Sequence, residues 1–106
     1  MANLPTNRPP THPGEILLEE FLKPLGITQR NLADAISVPY QRVNDLVNGR
    51  RGVSVDTAIR LGKFFGTGYE YWMKFQLRMD RWNAEKKNAA IIDSITAYAP
   101  ISASAS

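Results

Sequence analysis

From Pro13-Gly14 to Gly68 a proline or glycine recurs at intervals of 13 residues or fewer, at Pro24, Gly26, Pro39, Gly49, Gly52, Gly62 and Gly66. Proline lacks an N–H and fixes φ, and glycine leaves the backbone unrestrained, so any regular element here is short. The segments between them carry apolar residues three and four apart, the period of a helix with one buried face, and an all-α fold of short helices follows.

Pro13 suits a first helical position and Glu15 the positive end of a helix dipole. Ile16, Leu17, Phe21 and Leu22 repeat at helical spacing up to Lys23, where the following Pro24 predicts a stop. Thr28 is the expected N-cap of a two-turn second helix, Gln29 to Ile36, with Leu32, Ala33 and Ile36 on one face. After Ser37, Val38 and Pro39, a third helix turns Val43, Leu46 and Val47 inward and ends at Asn48-Gly49. Ser54 caps a fourth, with Ala58, Leu61, Gly62 and Phe65 buried, and Gly66 closes it. Thr67-Gly68-Tyr69-Glu70 has the spacing of a capping box and opens a fifth, along which Trp72, Phe75, Gln76, Met79 and Trp82 recur.

A length of 106 residues predicts one core. Residues 1–12, rich in Pro, Thr and Asn, are expected to form a flexible arm and 13–87 the folded domain. In the partly ordered tail expected over 88–106, Ile91, Ile92, Ile95 and Tyr98 fit a helix, a strand or irregular packing, with fraying from Pro100 onward. The lack of cysteine removes disulfides, thiolate metal sites and a cysteine nucleophile. A lone His12 beside Pro13 is poor material for a zinc site or a Ser-His-Asp triad, so no metal, cofactor or catalytic residue is expected. No apolar run reaches the roughly 18 residues of a membrane span, and the Pro-rich start lacks the apolar stretch of a signal peptide. A cytoplasmic protein is the expectation.

Two short helices joined by a brief turn, Thr28 to Ile36 and then Pro39 to Val47, have the dimensions of a helix-turn-helix, whose second helix enters the DNA major groove. Ala33 is small where the two helices cross. Val43 and Leu46 anchor the second helix inward, which forces Tyr40, Gln41, Arg42, Asn44 and Asp45 outward. Polarity alone is common to exposed helix faces, but two features add to it. Residues 28–63 carry the whole net charge of +3, with six basic and three acidic side chains. Asn48-Gly49-Arg50-Arg51 then groups backbone N–H donors, an amide and two guanidinium groups, a combination suited to phosphate.

His12-Pro13-Gly14-Glu15-Ile16-Leu17, Gly26-Ile27-Thr28-Gln29 with Leu32-Ala33, and Arg42-Val43-Asn44 with Val47-Asn48-Gly49-Arg50-Arg51 are followed by Thr57-Ala58, Arg60-Leu61, Phe65-Gly66 and Trp72. Together these stretches, within residues 12–82, resemble the HigA-type helix-turn-helix antitoxins of the larger lambda-repressor-like, or XRE, group. The resemblance implies a five-helix lambda-repressor-like DNA-binding domain that dimerises, represses its own operon and neutralises a toxin that cleaves mRNA on the ribosome. By position it implies that Gln29 touches a phosphate, that Tyr40, Gln41, Arg42 and Asp45 face base edges or the adjoining backbone, and that Asn48, Arg50 and Arg51 grip phosphate. Thr28 and Asn44 complete the expected DNA-binding set. The chain departs from the family at Ser37, where the turn usually has glycine, and at Pro39, which presets φ but offers no oxygen to cap the recognition helix.

Gln41 can pair bidentately with adenine N6 and N7, and Arg42 with guanine or phosphate. Tyr40 fits a thymine methyl, a phosphate or the core edge, while Asp45 can accept from cytosine N4, repel phosphate or pair with a nearby Arg. One domain reads only a few base pairs, so specificity calls for two copies on a pseudo-palindromic double-stranded operator, with recognition helices about 34 Å apart. Tyr71, Trp72, Phe75, Met79 and Trp82 are the candidate homodimer surface, because they supply more apolar area than four short helices are expected to cover. Three classes stay open from the residues: an antitoxin that represses transcription and binds a small toxin, a stand-alone repressor, and a helical interaction module without DNA affinity. A toxin would dock on the arm before Pro13 or the tail after Lys87. No convergent acid, base and nucleophile supports an enzyme.

Overall fold

A computed structural model describes residues 8–99, and every regular element in it is a helix. The expectations for residues 1–7 of the arm and 100–106 of the tail lie outside the described residues.

Helix α1 spans residues 13–25. Its cap is His12, whose Nδ1 accepts from the Gly14 N–H at 2.8 Å, with Pro13 in the first helical turn. The helix is α-helical over Pro13–Ile16, π-helical over Leu17–Leu22, where Lys23 N donates to Leu18 O, and α-helical again over Lys23–Leu25. It therefore runs through Pro24 instead of stopping at Lys23. The widened turn ahead of the proline takes up the register in which its ring and missing N–H would break an α-helical ladder. Gly26, at φ 66°, ends the helix.

Helix α2, Gln29–Ile36, is capped by Thr28, whose Oγ1 accepts from Asn31 N at 3.0 Å. It closes on Ser37 in the left-handed region, φ 60° and ψ 49°, with Val38 N donating to Ala33 O at 3.0 Å. Arg60 braces this turn: Nη1 donates to the Ile36 and Ser37 carbonyls at 2.8 and 3.1 Å while Nε pairs with Asp56 at 2.9 Å. A cation thus meets the negative end of α2. Helix α3, Tyr40–Val47, starts after Pro39 without a side-chain cap. Helix α4, Val55–Phe65, is capped by Ser54, which accepts from Thr57 N at 3.1 Å. Helix α5, Tyr69–Lys87, is followed by the short α6, Ala89–Asp93.

The expected capping box at the start of α5 does not form. Gly68, at φ 82°, is the N-cap. Thr67 Oγ1 instead accepts the indole N–H of Trp72 at 2.9 Å and donates to Gly68 O at 2.9 Å. Trp72 is the reason, since it is only 1% exposed and a buried indole N–H must find an acceptor. Around it Phe21 lies at 5.0 Å, Tyr71 at 5.2 Å and Phe65 at 6.1 Å between ring centroids. Trp72 is therefore withdrawn from the dimer surface: Phe21 of α1 and Phe65 of α4 cover it within one chain.

The rest of the core joins Leu17 and Leu22 of α1, Leu32, Ala33 and Ile36 of α2, Val43 and Leu46 of α3, and Ala58 and Leu61 of α4. Val53, in the loop before α4, is also buried. One contact fixes the recognition helix from behind. A Cβ at Gly14 would collide with the Leu46 carbonyl, so the start of α1 seats directly on the last turn of α3.

Candidate nucleic-acid interface

With Val43 and Leu46 buried, helical geometry leaves Tyr40 and Gln41 exposed and Asn44 and Asp45 half-buried on the far side of α3. The structure joins these to α2 and to the loop after α3 through hydrogen bonds. Asn44 Nδ2 donates to Gln29 Oε1 at 3.0 Å, Gln41 Nε2 to Asp45 Oδ1 at 2.8 Å, and Asn48 Nδ2 to Asn44 O at 2.9 Å. Arg50 reaches back with Nη2 on Asn44 Oδ1 at 2.9 Å and Nε on Asp45 Oδ1 at 3.2 Å. With Asn44 Nδ2 also 3.4 Å from the Tyr40 hydroxyl, Gln29, Tyr40, Gln41, Asn44, Asp45, Asn48 and Arg50 are one cluster.

Of the three roles open to Asp45, this geometry realises pairing with an arginine. Its carboxyl is held below the usual carboxylate range, first by the Gln41 amide and then by the hydrogen bond and charge of Arg50 with the charge of Arg51, against an opposing pull from burial. A bare carboxylate would repel the DNA backbone, and the two arginines offset it.

The remaining expected residues sit differently. Thr28 spends its oxygen on the α2 cap, and Arg51 lies exposed on the loop. Arg42 is half-buried, and its Nε is a buried nitrogen without a hydrogen-bond partner. A donor left this way costs free energy until something accepts from it.

Two contributors were not foreseen. Arg30 lays its guanidinium 4.6 Å from the centroid of the Tyr40 ring, linking α2 to the start of α3. Gln76 of α5 accepts from Val53 N at 2.8 Å and so anchors the loop that carries Arg50 and Arg51. An arginine on the second residue of α2 was a visible signal; a pairing across 23 residues was not. Among the described residues no three His, Cys, Asp or Glu side chains group as a metal site would require.

On the expected dimer stripe, Tyr71, Phe75, Met79 and Trp82 are half-buried. Lys74 lies 4.7 Å over the Tyr71 ring and Arg78 5.6 Å over that of Phe75. Arg8, Pro9, Pro10 and Thr11 form a shallow cleft with Trp82.

A domain of helices α1–α5 around one core, with α2 and α3 joined by residues 37–39 and α3 turning its polar side chains outward, is a helix-turn-helix domain of the lambda-repressor-like class. The chain belongs to the helix-turn-helix family, whose profile matches residues 18–72. It is 42% identical over 83 residues to virulence-associated protein I of Dichelobacter nodosus, covering 78% of this chain and 77% of that protein. Antitoxin HigA-1 of Vibrio cholerae is 39% identical over 83 residues, 77% of each chain. The solved structure of Pseudomonas aeruginosa antitoxin HigA with the higBA promoter aligns at TM-score 0.77 and 42% identity, over 82% of this chain and 96% of that one.

Proposed function

We propose that the chain is a sequence-specific DNA-binding antitoxin, which represses its own operon as a homodimer on a pseudo-palindromic operator and neutralises an mRNA-cleaving toxin. The observation that carries the reading is the polar cluster on α3, linked through Gln29 and Arg50 to both flanking elements, in a chain 42% identical to an antitoxin solved with its promoter. Tyr40, Gln41 and Arg42 are assigned to base edges and the adjoining backbone. Gln29, Asn48, Arg50 and Arg51 are assigned to phosphate, and Thr28, Asn44 and Asp45 complete the surface. Tyr71, Phe75, Met79 and Trp82 of α5 are the proposed dimer contact within a folded unit of residues 13–87. The role is that of a binding protein in the cytoplasm, not an enzyme. No helix among the described residues is long and apolar enough to cross a membrane.

The test is twofold. Titrating the chain into duplexes from upstream of its own gene should yield one tight site, whose log affinity falls linearly with log salt by about 0.9 per phosphate contact. Expressing the neighbouring small reading frame should arrest growth, and co-expression of this chain should relieve it. Tight operator binding beside a harmless neighbour would identify a stand-alone repressor instead.

A further inference from the structure

The side chains around α3 form a hydrogen-bonded row whose direction is set at one end. An arginine only donates and an ionised carboxylate only accepts, whereas an amide can present either of its ends. Because Arg50 Nη2 donates to Asn44 Oδ1 at 2.9 Å, the Asn44 carbonyl faces Arg50. Its Nδ2 must face the other way, where it donates to Gln29 Oε1 at 3.0 Å and to the Tyr40 hydroxyl at 3.4 Å. Gln29 therefore turns its Nε2 away from Asn44, and the Tyr40 hydroxyl, already accepting, keeps its own hydrogen for an outside partner. On the second branch Asp45 Oδ1 accepts from Gln41 Nε2 at 2.8 Å and from Arg50 Nε at 3.2 Å, which leaves Gln41 Oε1 facing out.

We propose that Arg50 and Asp45 are positioning residues that set the donor–acceptor polarity of the DNA-reading surface, fixing Gln29 and Tyr40 as outward donors and Gln41 as an outward acceptor. Phosphate oxygens only accept, so the donors on Gln29 and Tyr40 match a backbone. The Gln41 carbonyl, with the second hydrogen of Nε2, matches the N6 donor and N7 acceptor of adenine. A reversed Asn44 would turn the Gln29 carbonyl toward a phosphate, acceptor against acceptor. The inference rests on the DNA-binding reading above and changes the part played by Arg50, from a simple phosphate cation to the group that orients Asn44.

Arg50→Lys stays donor-only, while Arg50→Gln can also accept and so frees Asn44 to reverse. The experiment measures Kd of the full chain for a duplex that the wild type selects from a randomised pool. Wild type, R50K and R50Q are each compared with and without Gln29→Ala. Gln29→Ala should weaken wild type and R50K about tenfold, as loss of a charge-assisted hydrogen bond does, and R50Q less than about twofold. Equal losses in all three backgrounds would overturn the proposal. If the wild type selects no duplex, the DNA-binding reading falls and the polarity is read on the free chain by nuclear Overhauser contacts of the Asn44 side-chain amide. Contacts to the Tyr40 ring in wild type and R50K that vanish in R50Q support it; contacts to the Arg50 methylenes in wild type, or an unchanged pattern in R50Q, refute it.

Discussion

Ser37 is the non-glycine residue among those described that adopts positive φ, at φ 60° and ψ 49°. In the left-handed region a Cβ crowds the following carbonyl, at a cost of about 1–2 kcal/mol. Ser37→Gly removes that cost. It also gives the unfolded chain more freedom, which returns about 0.5–1 kcal/mol of it. No other contact is surrendered, since the side chain is exposed and Arg60 binds the Ser37 carbonyl, which glycine retains. The net gain is about 0.5–1 kcal/mol. Unfolding entropy near 2.1 cal/mol/K per residue gives this domain roughly 0.2 kcal/mol/K, so the Tm should rise by about 3–5 °C. The assay is thermal unfolding followed by circular dichroism at one fixed protein concentration, with Ser37→Ala as control. Alanine keeps the Cβ and should melt close to wild type. Should glycine melt at or below wild type, or alanine match glycine, strain at Ser37 is not what limits this turn.

Three further outcomes follow from the same geometry. Burial pushes the His12 pKa below 6.5, with Glu15 pulling the other way, so the folded chain holds this proton more weakly than the unfolded one. The stability linked to it is present above about pH 6.5 and lost as pH falls below that; His12→Asn, which keeps an acceptor at the cap, should flatten this part of the urea-midpoint profile between about pH 7.5 and 5.5. Arg60→Met strips the Ile36 and Ser37 carbonyls of their donor and should cost about 1–2 kcal/mol in chemical denaturation, whereas an unchanged midpoint would deny the brace a role. Phe75→Glu or Met79→Glu should give folded monomers in sedimentation, and an intact dimer would remove α5 from the interface.

Where a signal is local, the sequence carries it to the residue. Thr28 and Ser54 cap the helices their positions announce, and Leu32, Ala33, Ile36, Val43 and Leu46 are buried as their spacing requires. Local rules mislead where a distant contact competes. The Thr67 hydroxyl fits a capping box, yet a buried Trp72 indole claims it. Pro24 reads as a stop, yet a π-helical stretch upstream carries the helix past it. In the candidate site, the placement of Tyr40, Gln41, Asn44 and Asp45 opposite Val43 and Leu46 follows from periodicity alone, whereas Arg42 at the edge of that face has a buried Nε. The direction of the site's hydrogen bonds does not follow from periodicity, because an amide in sequence has no orientation until Arg50, six residues further on, imposes one.

The π-helical stretch Leu17–Leu22 also sets rotational phase. Each α-helical residue advances the side chains by about 100°, and a π-turn inserts one residue without the corresponding advance. The two halves of α1 are thereby offset, so that Gly14 meets the Leu46 carbonyl while Leu22, at the end of the stretch, still enters the core. Deleting a single residue between 17 and 22 would keep both ends on their faces yet close an α-helical ladder onto Pro24, whose ring and missing N–H it does not accommodate. The stretch and Pro24 therefore belong together, and a chimera joined within α1 of this chain has to keep both.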